Sequence, residues 1–439
     1  MAKACAIAIV LGCCVMVSGC GPNSGIGEPA SQDSGAWDSA GGGNGGAVGG
    51  FSSGGADGGY NSGGASGSGG VGGAQPSDGS GGATGSGGGI VAGGTGGVPT
   101  SALCPSGLPA SLSDLAHLAN DDTTSTKTPL GTRYDEVAGH IASAEEVSFL
   151  HDAQQQPAIP SSTSGLSLKA LPVTLYPSLG GAPQPADINQ HAIGNCDGDA
   201  AYGSLVYANP DFVKRLITDN HDGTFTVAMY DPQGNRLNVS IDNQFLVDGN
   251  GNIGAVSGKN GVADWATVLE KTTMKYIEVW PVIGDIGGIG SEHQLPMFTR
   301  GGGSIAFARG ALSPSELTRV IEASLAEGKL ISGGFGVELA LANGFKTVTA
   351  HGYTVMFPKA PTIMASMRNP WGVAPTDNGY NGSTDGVLDI PPDSTWAGTI
   401  DLRVIDPGEA CGDGVTAPYA PAQEDVRESP AMLQLPRAR

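Results

Sequence analysis

Apolar and polar positions divide the chain into three regimes. Residues 1–20, MAKACAIAIVLGCCVMVSGC, carry one positive side chain at Lys3 and then a nearly unbroken apolar stretch. At about 15 residues this stretch is short for a bilayer-spanning helix and has the shape of a secretory signal. Residues 21–100 are Gly, Ser and Ala with little else, and show neither the period of a strand nor that of a helix. Ordered periodicity appears further on. Ala201, Leu205, Val206, Phe212, Val213 and Leu216 suit amphipathic helices broken at Asn209-Pro210. Residues 223–230 and 237–241 alternate around Asp231-Pro232-Gln233-Gly234, as two hairpin strands do. Residues 264–276 place Trp265, Val268, Leu269 and Thr272 on one helical face. Residues 314–327 predict a further helix, opened by Ser313 with Glu316 in capping-box spacing. From Leu330 the pattern turns to strands. A helical part followed by a β-rich part predicts an α+β fold.

Composition sharpens the middle regime. Of 439 residues 73 are glycine, most of them in one early block, which cannot bury enough apolar surface to offset its ordering entropy. A flexible chain of roughly 80 such residues has a reach of about 50 Å, enough to hold a domain clear of a membrane. The expected organisation is a signal at 1–20, a disordered Gly/Ser-rich tether at 21–100, an N-terminal extension at 101–174, a folded domain at 175–411 and a tail at 412–439. Within the extension, residues 111–118 and 142–147 could open short helices, and His117, His140 and His151 read as ordinary surface histidines. A net charge of −21 excludes nucleic acid as a partner.

Cysteines stand at positions 5, 13, 14, 20, 104, 196 and 411. Val17-Ser18-Gly19-Cys20 resembles a bacterial lipobox, which implies lipid modification at Cys20; Gly21, rather than Asp, favours the outer membrane or cell surface over the inner membrane. In an oxidising exterior Cys104 can pair with Cys411 across the folded region, leaving Cys196 as a free thiol.

Cys196 lies in DINQHAIGNCDGDAA, Asp187 to Ala201, after a Gly-Asn turn and ahead of small residues able to start a helix. A thiol at a helix N-terminus is stabilised as thiolate, the nucleophilic form. It also needs an imidazole, and the imidazole needs a partner on its other nitrogen. His351 in HGYTV and Asn369 in RNPWG supply that pair, and Gln190 supplies an N–H donor for a developing oxyanion beside the Cys196 backbone N–H. His191, His221 and His293 compete for the imidazole role, but none precedes an Asn-Pro-Trp segment. Residues 248–252, DGNGN, lack the closing glutamate of an EF-hand and read as a turn. Residues 301–304 lack the lysine of a phosphate loop.

These blocks, in this order over residues 175 to 405, resemble the calpain-type cysteine proteases. The resemblance implies a papain-like two-lobed fold, with the nucleophile on a helical lobe and His and Asn on a β-rich lobe. It implies catalytic Cys196, His351 and Asn369, with Gln190 in the oxyanion hole and Trp371 shielding the histidine–amide bond. Asp187 stands where the family has a calcium-binding aspartate, with Glu270 as a candidate partner; the alternative is a pair of solvated carboxylates. Two departures stand out: Asp197 replaces tryptophan and Asn195 replaces aspartate. The expected protein is a monomeric, surface-tethered endopeptidase of the calcium-dependent type, acting on protein or peptide. The alternatives are an inactive protein-binding module and a cell-wall amidase or transferase.

Overall fold

The structure is a computed structural model and describes residues 104–411 apart from positions 123, 162, 164, 179, 378 and 382–384. The expected signal with Cys20, the tether and the tail beyond Cys411 lie outside the described residues.

Seven helices are described: α1 (Ala144–His151), α2 (Cys196–Ala208), α3 (Pro210–Leu216), α4 (Trp265–Val279), α5 (Ser291–Thr299), α6 (Pro314–Ala326) and α7 (Ser394–Ala397). Their ends follow capping chemistry. Ser143 and Glu146 close a capping box on α1, Ser313 and Glu316 one on α6, and Asp264 accepts from the Ala266 and Thr267 N–H groups at the start of α4. Asn209 ends α2, and its side chain accepts from Phe212 N–H to start α3, with Pro210 in the first turn, where no N–H is needed. In α6 the buried positions Leu317, Val320, Ile321, Ser324 and Leu325 recur at helical spacing. α4 is buried on nearly every side, so its apolar stripe understates how much of it is core.

The predicted hairpin pairs Thr224–Tyr230 with Arg236–Asp242, and Ile217–Asp219 adds a third strand. A seven-stranded sheet is antiparallel at every pairing and runs in space as Ala119–Asp121, Ser304–Phe307, Ile400–Ile405, Leu330–Phe335, Gly352–Met356, Ala365–Arg368 and Val387–Ile390. Mixed helices and sheets make the domain α+β, as the alternation of periods predicted.

Two hydrophobic clusters form. One gathers residues of α2, α4, α5 and the hairpin, including Tyr202, Val227, Trp265 and Phe298; the other lies between the large sheet and α6, including Phe307, Val320, Tyr353 and Leu402. Helix α2 joins them: the Thr354 hydroxyl donates to Ala200 O at 3.0 Å and the Ser204 hydroxyl to Ile331 O at 2.5 Å.

Residue 174 is not a structural boundary. Leu112 and Leu115 enter the sheet cluster, Tyr134 and Leu150 enter the helical cluster, and Ala119–Asp121 forms the edge of the large sheet. Ser167–Ala170 pairs with Gln244–Val247. The extension is therefore part of the domain, built from non-local pairings that no short-range pattern reveals. The histidines expected at its surface are exposed.

Cys104 and Cys411 form a disulfide with Cα atoms 5.5 Å apart and 307 positions apart in sequence. Beside it the buried Lys329 ammonium meets Asp406 Oδ1 at 2.7 Å and donates to Pro105 O, and Gly107 N–H donates to the same carboxylate at 3.0 Å. Covalent and ionic clasps thus hold the two ends of the domain at one place. Replacing both cysteines by serine is expected to lower stability by about 2–5 kcal/mol, seen as an earlier urea midpoint.

Candidate active site

Cys196 is the first residue of α2, and Asn195 at the cap position has φ −103° and ψ 33°, outside the helical well. Its sulfur lies 3.4 Å from the backbone N of Gly352, the first residue of the strand that follows His351. A Cβ on Gly352 would fall 2.5 Å from Asp197 Cα, so only glycine lets the strand meet the helix start this closely. Cys196 and His351 share the wall of one cleft of about 420 Å³.

Asn369 fixes the histidine. Its Oδ1 accepts from Trp371 N–H at 2.9 Å and lies 2.8 Å from His351 Nε2. The oxygen is identified by the Trp371 donor, so Nε2 carries the hydrogen, and Nδ1 remains as the basic nitrogen for the thiol. Asn369 is fully buried and His351 is 4% exposed. The Trp371 ring lies over the imidazole at 4.4 Å between centroids, and Tyr353 meets it edge-on at 5.1 Å. Burial pulls the His351 pKa down to about 4, against the Asn369 bond, which raises it. The imidazole is therefore neutral over the physiological range.

Gln190 is not presented to the cleft. Its Nε2 donates to Ile193 O at 2.8 Å and to Asn195 Oδ1 at 3.3 Å, which uses both amide hydrogens, while Oε1 is buried with no partner among the described residues. The side chain braces the 193–195 turn, and its backbone N–H reaches Pro370 O at 2.8 Å, tying that turn to the asparagine segment.

Below Cys196 lies a polar network that spacing did not reveal. Asn195 Nδ2 donates to Glu270 Oε1 at 2.8 Å and to Asp199 Oδ1 at 3.2 Å, and Val256 N–H donates to Glu270 Oε2 at 2.9 Å. Burial raises Glu270 to about 7 and Asp199 well above the usual carboxylate range, the latter pushed further by Glu270. Asn195 was legible only as a departure from an aspartate; with two acids beneath it, an amide is the group that can donate.

Asp187 and Glu270 are each held by protein donors. Asp187 accepts from Trp265 Nε1 at 3.1 Å, from Gln184 N–H at 2.8 Å and from the Ser178 hydroxyl. Its carboxylate neighbour is Asp264, on which it acts electrostatically, whereas the neighbour of Glu270 is Asp199. Each expected ligand is saturated by protein donors in a separate pair, and no group of three metal-ligating side chains occurs among the described residues. Neither is solvated, since Asp187 is fully buried and Glu270 is 1% exposed. Residues 248–252 form the expected turn, with Asp248 Oδ1 accepting from Asn250 and Asn252 N–H at 2.9 Å each.

Asp197, beside Cys196, lines the cleft with its carboxylate 3.5 Å from Arg403 Nη1, and Arg403 also pairs with the buried Glu292. Burial raises Asp197 to about 6; Arg403 lowers it and Glu292 raises it. The rival histidines sit elsewhere: His191 on Ser257 Oγ at 2.8 Å, His293 by Glu292 at 3.6 Å, and His221 exposed beside Asp219.

No curated protein matches the chain. The segment from residue 175 to residue 384 matches the model described as calpain family cysteine protease. That match spans Cys196, His351 and Asn369, and this segment is a calpain-family cysteine protease domain.

Proposed function

We propose that the protein is a cysteine endopeptidase with a papain-like arrangement of two lobes, in which Cys196, His351 and Asn369 form the catalytic triad. The observation that carries this reading is the Asn369 oxygen held by Trp371 N–H at 2.9 Å and facing His351 Nε2 at 2.8 Å, in a cleft shared with Cys196. His351 Nδ1 takes the Cys196 proton and the thiolate attacks the substrate carbonyl carbon. His351 then gives that proton to the leaving amine. Water, deprotonated by the same nitrogen, releases the acyl group and restores the thiol. The oxyanion is stabilised by the Cys196 backbone N–H at the positive end of α2. Gln190 joins it only by releasing Ile193 and Asn195; in its present position it holds the turn that presents this N–H.

Protein or peptide is the substrate class that a protease domain implies. We further propose an extracytoplasmic monomer, anchored through lipidated Cys20 and the 21–100 tether at the outer membrane or cell surface. The Cys104–Cys411 disulfide supports an oxidising compartment. No described helix is long and apolar enough to cross a membrane. The second reading, an inactive binding module, is favoured by Asp197, whose charge opposes thiolate formation. An amidase or transferase on the same triad is the third.

Three measurements test this. A denatured protein incubated with the chain and a thiol reductant is expected to be cleaved, with no cleavage by Cys196→Ala and a kcat about 10²-fold lower for Asn369→Ala; equal inertness of wild type and Cys196→Ala rejects the protease reading. Because Asp187 and Glu270 are saturated by protein donors, cleavage is expected to be undiminished by a calcium chelator, and a rise on adding calcium would place a metal site elsewhere. Burial lowers the His351 pKa, so the acid limb of kcat/KM is expected to lie below the pH at which an ordinary histidine protonates. An acid limb near pH 6.5 would show an unperturbed imidazole.

A further inference from the structure

The cleft beside Cys196 is polar in an unusual way for a peptide-side-chain site. Among its lining residues, Phe335 and Ala350 are the apolar side chains, and Phe335 is fully buried behind the wall. Facing the space are Asp197, Asp401, Arg309, Arg403 and Ser332, with glycine backbone between them.

The glycines explain how these charges reach the cleft. Asp401 pairs in register with Gly334, and a Cβ on Gly334 would lie 3.4 Å from Asp401 Oδ1 and 3.1 Å from His351 O. A Cβ on Gly336 would lie 2.6 Å from Arg309 Cδ. The Asp401 carboxylate and the Arg309 stem thus lie across glycine backbone, and at Gly336 a larger residue would displace the Arg309 stem. They meet at 3.0 Å, with side chains 42% and 51% exposed, so this ion pair is solvent-screened and readily exchanged for another partner. Deeper in, Arg403 is neutralised by Glu292, which is 7% exposed. Asp197 receives only a looser share of that guanidinium, at 3.5 Å.

An aliphatic side chain seated here would desolvate these ion pairs without replacing their hydrogen bonds. An acidic one would meet Asp401 and Asp197, with only Arg309 and Arg403, both already paired, to receive it. A cationic one finds both carboxylates with acceptor capacity, and three carboxylates against two guanidinium groups bias the local field the same way. The net charge of −21 adds attraction at longer range.

We propose that this cleft seats a lysine or arginine side chain of the substrate near the scissile bond, with Asp401 and Asp197 as specificity-determining residues. The inference rests on the protease reading above and names its substrate class.

The test uses the full chain with a thiol reductant and matched peptide sets that differ only in carrying Lys, Arg, Leu or Glu at one position at a time around the cleaved bond. At one position Lys and Arg are expected to give a kcat/KM about tenfold above Leu, with Glu lowest. Asp401→Asn is expected to bring the Lys-to-Leu ratio at that position close to unity, and Asp401→Arg to raise Glu above Lys. Each result is a ratio measured on one enzyme preparation, so partial misfolding of a variant cancels. A wild type that cleaves peptides but prefers Leu at every position overturns the inference alone, as does a Lys-to-Leu ratio unmoved by Asp401→Arg. A wild type that cleaves none of the peptides overturns the protease reading and this inference with it.

Discussion

The start of helix α2 and the start of the strand at Gly352 meet with no room for a side chain between them, and the rest of the site follows from that contact. A Cβ at Gly352 would fall 2.5 Å from Asp197 Cα, so the helix carrying Cys196 and the strand led by His351 are held at backbone contact. Their separation is then set by the two clusters they belong to, which α2 bridges through the Thr354 and Ser204 hydroxyls. Proteolytic chemistry at a thiol needs the imidazole within hydrogen-bond reach, and a small misplacement is costly in rate. A contact fixed by sterics on one side and packed cores on both sides supplies that tolerance without relying on a flexible loop.

Beneath the contact, charge is managed by the Asn195 amide, with the Arg368 guanidinium also acting on Asp199. Two buried acids, Asp199 and Glu270, would repel each other if both ionised, and burial already raises both. Asn195 donates to each while accepting from Gln190, so one amide links the long helix, the nucleophile helix and the turn before it. Leaving a buried acceptor without its donor costs about 1–3 kcal/mol, so this residue has leverage over the turn that presents the Cys196 N–H. An aspartate at the same place would put three carboxylates together, an arrangement that needs protons or a metal.

Much of this was legible in the sequence. The capping box at Ser313 concerns groups three residues apart, the hairpin around residues 231–234 is a local pattern, and the blocks around Cys196, His351 and Asn369 are short. What escaped was tertiary. The 101–174 segment contributes single residues such as Tyr134 and Leu112 to distant clusters, leaving no run long enough to read. Gln190 has the residue type of an oxyanion donor, but its orientation depends on Ile193 O and Asn195 Oδ1, which only the folded turn brings together. Asp187 and Glu270 were chosen by position along the chain, whereas the carboxylates beside them, Asp264 and Asp199, are set by packing.

Asp197 brings the opposing demands on the site together. A carboxylate next to a nucleophilic sulfur raises the cost of forming thiolate, and at the separation of adjacent residues on a protein surface that interaction is on the order of a few kcal/mol. Three features counter it on geometry: the positive end of α2, the Arg403 guanidinium at 3.5 Å from the carboxylate, and burial that holds the Asp197 pKa up at about 6. Arg403 cannot neutralise Asp197 fully, because the buried Glu292 claims it at closer range. The residual negative charge is therefore built in by Glu292, a residue remote from the chemistry. A site that only had to make a thiolate would not tolerate it. One that must also attract a cationic side chain to the same cleft has a use for a carboxylate whose own counter-ion is already engaged.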